Sequence, residues 1–152
     1  MMYYNVYLSS IGNIVLESDG VYLIGLYFDE HIPSIITDLK IFDETKNWLD
    51  IYFAGKNPNF KIPVKFRGTS YQIKVWQFLE NIEYGKYTSY GDIAKNLNTS
   101  PRAVGNAVGK NKIAIIIPCH RVLGKDKSLT GFAYGLDRKK YLLDLEKIEY
   151  KL

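Results

Sequence analysis

Five apolar residues, Ile113-Ala-Ile-Ile-Ile117, run directly into Pro118, and Cys119, His120 and Arg121 follow with no spacer. Four of the five are β-branched, which favours buried, extended backbone, so the run is expected to be an interior strand or extended segment. Pro118 has no N–H to give to a ladder and ends it. The chain must therefore build a core around an element that stops at a turn carrying a thiol, an imidazole and a guanidinium. Scaffolds commonly present reactive groups in this way. A lone cysteine in an apolar run more often only fills space. The two basic neighbours shift that balance, because positive charge lowers a thiol pKa toward the nucleophilic thiolate.

The 152 residues suffice for one domain or for two small ones. One cysteine excludes an internal disulfide and any zinc site built on several thiolates. No stretch approaches the ~20 apolar residues of a membrane span. The N-terminus, Met1-Met-Tyr-Tyr-Asn-Val-Tyr7, lacks the basic flank and apolar core of a secretory signal. A cytoplasmic location, where the thiol stays reduced, is the natural expectation. Charge divides unevenly along the chain. Residues 1–64 carry four lysines and no arginine against eight acids, whereas residues 65–152 carry sixteen basic side chains against eight acids. A basic half holding the cysteine suggests a polyanionic partner, most often nucleic acid; the plainer alternative is a solvated lysine-rich surface.

In chain order, the turn pairs Gly12-Asn13 and Asp19-Gly20 separate apolar runs and predict an antiparallel meander through Phe28. His31 reads as a loop histidine. From Asp43 to Ala54 the spacing of Trp48, Leu49, Tyr52 and Phe53 is helical, with Gly55 suited to the position after the helix. Residues 56–68, with two prolines, read as a linker. Thr69-Ser-Tyr-Gln72 has the form of a capping box, opening a helix with Val75, Phe78, Leu79 and Ile82 on one face. Thr88 or Ser89 can cap a second helix, and Ser100-Pro101 an N-cap and first-turn proline for a third. Two short helices across a tight turn form a plausible helix-turn-helix. Ala103, Gly105, Ala107 and Gly109 would let the third helix approach a ligand closely; close packing against the core would select the same residues. A final helix is expected over about Leu136–Lys147. Glu146 projects near its apolar stripe, where a carboxylate usually needs a partner; alternatively it pairs in solvent with Lys139 or Lys140.

Pro118-Cys-His-Arg-Val122 resembles the active-site signature of the O6-alkylguanine-DNA alkyltransferases, or methylated-DNA–protein-cysteine methyltransferases. Tyr84-Gly-Lys-Tyr-Thr-Ser-Tyr-Gly-Asp-Ile-Ala94, Ser100-Pro-Arg-Ala-Val-Gly105, Lys110-Asn111 and Leu142-Leu-Asp-Leu-Glu146 resemble further family segments, in family order. The resemblance is strong over residues 65–152 and general over 1–64. It implies an α+β fold in two parts. Residues 1–64 would form a small antiparallel β-sheet with a helix, ribonuclease-H-like. Residues 65–152 would form a winged-helix, helix-turn-helix domain holding the cysteine.

The implied activity is DNA repair by direct damage reversal. The thiolate takes the alkyl group from O6 of guanine and keeps it as a thioether. A soft thiolate suits displacement at an alkyl carbon, and no metal or organic cofactor is needed. With no second cysteine to resolve the product, the protein should act once.

By the resemblance, Cys119 is the acceptor, and His120 and Glu146 complete a Cys–water–His–Glu relay. Asn111 is a hinge holding the turn, and Tyr90 crowds the target's phosphate and can protonate the leaving base. Arg102 enters the base stack in place of the flipped nucleotide. Ser100, Ala103, Gly105 and Arg121 complete the expected DNA-binding set, with the helix in the minor groove of double-stranded DNA and the protein acting as a monomer. Phe132, Ala133 and Tyr134 would line the substrate pocket. Here the chain departs from the family: many members have Tyr-Ser where Phe132-Ala133 stand, and some have glycine where Tyr134 stands. A narrower pocket with one hydroxyl fewer is therefore expected. Two rival readings are a cysteine hydrolase using Cys119 and His120, and a DNA-binding lesion sensor. The first needs an oxyanion-hole motif that is not evident; the second leaves Cys119 without a use.

Overall fold

The turn signals at Gly12-Asn13 and Asp19-Gly20 fold the N-terminal segment into three strands, β1 (Tyr3–Ser9), β2 (Gly12–Ser18) and β3 (Leu23–Phe28). They pair antiparallel in the order β1-β2-β3, with Val6 opposite Val15 and Val15 opposite Tyr27. Gly20 takes the positive φ that its turn requires. In this computed structural model all 152 residues are described, and they divide into two compact units. The first is Met1–Arg67 with Lys112–Ala114, and the second is Gly68–Asn111 with Ile115–Leu152.

In the first unit helix α1 spans Lys40–Phe53, three residues earlier than its periodicity suggests, and packs against β1 and β2. Ile41, Phe42, Trp48, Leu49 and Tyr52 are buried on one stripe, with Trp48 and Tyr52 rings stacked 5.5 Å apart. The aromatic stripe is therefore core. Gly55 follows in a left-handed conformation. Lys112–Ala114 lies along β3: Leu26 N–H donates to Lys112 O at 2.8 Å and Ala114 N–H to Leu26 O at 2.8 Å.

That pairing ends at once. The run 113–117 is buried except at Ile116, which is half-buried, but it is not a strand. Asn111 Nδ2 donates to Ile117 O at 2.8 Å and so folds the segment back on itself. Ile115 takes a positive φ of 69°, a costly conformation for a β-branched residue that the surrounding packing must hold. Composition favoured extension; a side-chain hydrogen bond six residues away overrode it.

The second unit follows its capping signals closely. Helix α2 (Ser70–Leu79) opens on the Thr69–Gln72 capping box with both reciprocal bonds made. Its Trp76 is buried, and the indole Nε1 donates to Ala107 O at 2.8 Å. A Cβ at Gly68 would lie 2.6 Å from that indole, so only glycine fits beside it. A two-residue strand β4 (Thr88–Ser89) leads into α3 (Tyr90–Leu97), capped by the Ser89 hydroxyl. Asn98 turns left-handed to end it. Ser100 then accepts from Ala103 N–H and Pro101 opens α4 (Pro101–Gly109). Helices α3 and α4 pack as the helix-turn-helix. A short β5 (Val122–Leu123) pairs parallel with β4. Helix α5 (Leu136–Leu145) closes the unit, ending two residues before the expected Lys147, which is left-handed. No helix is long and apolar enough to cross a membrane.

Candidate active site

Cys119, His120 and Arg121 form a single tight helical turn after Pro118, and all three are buried. The Cys119 N–H donates back to Ile117 O at 2.8 Å. Asn111 holds the same Ile117 carbonyl and its side chain also hydrogen-bonds the thiol. One amide therefore fixes both the turn and its nucleophile. Burial pushes the Cys119 thiol up; the Asn111 bond and the Lys139 charge pull it back without cancelling that rise. The sequence-based expectation of a thiol lowered by cationic neighbours is corrected on this point. His120 is driven below its ordinary range by burial and is neutral near pH 7, so it adds no charge to the thiol there. Arg121 turns its charge on Glu146 instead.

Glu146 is the hub. It follows α5 and is buried. Its Oε2 lies 2.6 Å from His120 Nε2, and its Oε1 accepts from Arg121 Nε at 2.8 Å and Gly85 N–H at 3.0 Å. Burial alone would raise this carboxyl; the His120 and Arg121 bonds and charges outweigh it and hold the pKa at about 2. The alternative of a solvent pair with Lys139 or Lys140 is excluded. A carboxylate facing a neutral imidazole fixes the tautomer: Nε2 carries the proton toward Glu146, and Nδ1 carries the lone pair.

This arrangement sets the acid response. His120 has a folded pKa below its usual 6.5, so the unfolded chain binds a proton first as pH falls and stability declines from there. Glu146 adds stability that is complete above its ordinary 4.5 and is lost as pH falls toward 2. The Glu146 part is about 3 kcal/mol. Urea unfolding across this range should show that loss in the native chain and a much flatter response in Glu146→Gln. A native stability independent of pH between 4.5 and 2.5 would contradict the assignment.

A cavity of about 480 Å³ opens beside the thiol, lined by Cys119, Asn111, Tyr90, Arg102, Gly105 and the loop 130–134. Tyr90 is driven upward chiefly by burial, so its phenol keeps its proton and is a donor at neutral pH. Arg102, at the start of α4, is exposed. Ser100 is exposed as the cap and Ala103 is half-buried. A Cβ at Gly105 would sit 3.9 Å from the Tyr90 ring, an ordinary contact, and one at Gly109 would meet nothing within 4 Å. Internal packing therefore does not demand glycine at either position, whereas Ala107 is buried in the core. In the loop, the Phe132 and Tyr134 rings meet edge to face at 5.6 Å, and Ala133 between them is exposed.

Arg121, expected on DNA, faces inward. Besides Glu146 it donates through Nη1 to Ile82 O at 2.6 Å, and its guanidinium lies 5.8 Å from the Tyr84 ring centre. A side chain so consumed is not available to a phosphate. Lys139 went unrecognised in the sequence. It is fully buried, and its Nζ donates to Val122 O at 2.7 Å and to Thr130 O and Gly131 O at 3.3 Å. Its position three and four residues before Leu142 and Leu143 puts it on their buried stripe, and that was the available signal. No group of three His, Cys, Asp or Glu side chains could hold a metal ion.

Comparison with known proteins gives a consistent result. The profile for the ribonuclease-like domain of 6-O-methylguanine DNA methyltransferase matches residues 2–66, and that for its DNA binding domain matches residues 70–148. The methylated-DNA–protein-cysteine methyltransferase of Haemophilus influenzae is 42% identical over 98% of this chain and 88% of its own length. That of Methanosarcina acetivorans is 42% identical over 95% and 98%. Among solved structures, Mycobacterium tuberculosis O6-methylguanine methyltransferase superposes with a TM-score of 0.86 at 40% identity, covering 97% of this chain and 93% of that one. A structure of the mycobacterial protein in complex with DNA gives the same TM-score and identity, over 95% and 92%.

Proposed function

The chain belongs to the 6-O-methylguanine DNA methyltransferase family, and we propose that it repairs DNA by direct reversal, moving an alkyl group from O6 of guanine to Cys119. The observation that carries this is a lone buried thiol lining a cavity of about 480 Å³, followed directly by His120, which is neutral and faces the charged Glu146 at 2.6 Å. The thiol gives its proton through a water to His120 Nδ1, and Glu146 steadies the imidazolium that forms. The thiolate attacks the alkyl carbon; the S–C bond forms as the C–O6 bond breaks, and the electron pair leaves on the base. Tyr90, still protonated, supplies the donor for the leaving guanine. A thioether is not cleaved by thiol exchange, so each molecule acts once.

The duplex lies along α4, with the minor groove against Ala103 and Gly105, Ser100 at the phosphates and Arg102 filling the stack of the flipped base. One protein serves one lesion, so a monomer suffices. Residues 65–152 carry the reaction. Access to DNA and a thiol kept reduced are in keeping with work in the cytoplasm. A direct test uses a duplex whose O6-methylguanine blocks a restriction site. Cleavage should return in proportion to protein added and stop at one site per molecule; restoration beyond one equivalent, or none, would overturn the reading.

Pocket size follows from the loop. Ala133 offers only its backbone N–H to O6, and Tyr134, packed on Phe132, occupies space that glycine would leave. Tyr134→Gly should raise the rate for benzyl relative to methyl adducts by about tenfold, the scale on which a pocket distinguishes small differences in apolar bulk. Competition between the two oligonucleotides measures the ratio, and an unchanged ratio would remove Tyr134 from the pocket wall.

A further inference from the structure

Lys139 does something the relay does not. An ammonium has three N–H donors, and Lys139 Nζ meets three carbonyls: Val122 O on β5, and Thr130 O and Gly131 O at the start of the pocket loop. The side chain is fully buried although it is a lysine, which is uncommon unless its hydrogen bonds are made. It sits on α5, so it ties the helix below to the wall above. The geometry points to Lys139 as a positioning residue: its ammonium pins the pocket wall at residues 130–131 against β5, and the pocket holds its shape only while all three donors are present. This rests on the cavity being the site that receives the alkylated base.

The consequence is a dependence on protonation. A neutral amine keeps two N–H groups and turns a lone pair toward the third carbonyl, so one strap of the wall is lost. Burial lowers the Lys139 pKa to about 8, placing that loss just above neutral pH. The titratable groups facing it are Cys119 and His120 on the active-site turn and Tyr90 on α3, whose ring centre is 5.8 Å from Nζ. His120 is already neutral and Tyr90 still protonated in this range. Cys119 does change, gaining thiolate as pH rises, and the test must separate its reactivity from the wall.

Two rates measured on the same protein do so. Alkylation by iodoacetamide reads the thiol alone, and methyl transfer from an O6-methylguanine duplex reads the thiol and the wall together. Their ratio removes the thiolate fraction. In Lys139→Met the ratio of transfer to iodoacetamide alkylation should fall about tenfold or more, the scale of lost hydrogen bonds to a charged group. In the native chain the same ratio should fall as pH rises through about 8, and in Lys139→Met it should be flat with pH. Equal losses in both rates, or a native ratio flat with pH, would overturn the role. The native pH series stands even where the variant fails to fold. Absence of any methyl transfer by the native chain would instead count against the proposed function.

Discussion

Glu146→Ala should be strongly destabilised and should lose transfer almost completely. The carboxylate compensates the buried Arg121 charge and accepts the His120 and Gly85 N–H groups. Removing one side of a buried ion pair costs about 3–5 kcal/mol, because the remaining charge is stranded. Glu146→Gln separates stability from chemistry. A glutamine can still accept from Arg121 and Gly85 through its oxygen, but its NH₂ then faces His120 Nε2. The imidazole must present a lone pair there and carry its proton on Nδ1, which is the wrong tautomer for taking the thiol's proton. Transfer should fall by about a hundredfold or more, the range in which a misdirected general base lies, while the protein remains folded at neutral pH. Single-turnover transfer beside urea unfolding checks both. A Glu146→Gln protein with native transfer would show that the imidazole takes no part.

Arg102→Ala should slow transfer from duplex DNA on the order of a hundredfold, because the few kcal/mol needed to hold a base out of the stack would lose their support. The side chain is exposed, so its removal leaves the fold untouched. Alkylation by free O6-benzylguanine, which needs no flipping, should be nearly unchanged. Equal slowing on duplex and free base would place Arg102 in the pocket chemistry; no slowing on either would remove it from the stack.

The parts of this chain that could be read from sequence are those fixed by local bonds. The Thr69–Gln72 box and the Ser89 and Ser100 caps satisfy helix-end N–H groups within four residues, and Pro101 lacks an N–H that would otherwise go unpaired, so α2, α3 and α4 begin where those residues stand. The meander was likewise set by its turn residues. What escaped depended on contacts distant in sequence. The β-branched run 113–117 looks extended, and only Asn111 reaching Ile117 explains why Ile115 bends back. Arg121 looks like a phosphate ligand in a basic half; its true partners, Ile82 and Glu146, lie 39 and 25 residues away. Lys139 looks like surface charge beside Lys140, although its place above Leu142 and Leu143 marked it as inward-facing. The positive charge beside the cysteine was visible, but not the burial that outweighs it.

The central claim is that Cys119 becomes the permanent home of the alkyl group. Intact-protein mass spectrometry after incubation with an O6-methylguanine duplex tests it most directly, with Cys119→Ser in parallel. The native chain should gain one methyl, mapped to the peptide holding Cys119, and stop at one equivalent while the DNA is restored to guanine. Cys119→Ser should bind the duplex and gain nothing. Restored guanine with no mass gain, or a methyl mapped to any other residue, would contradict the account.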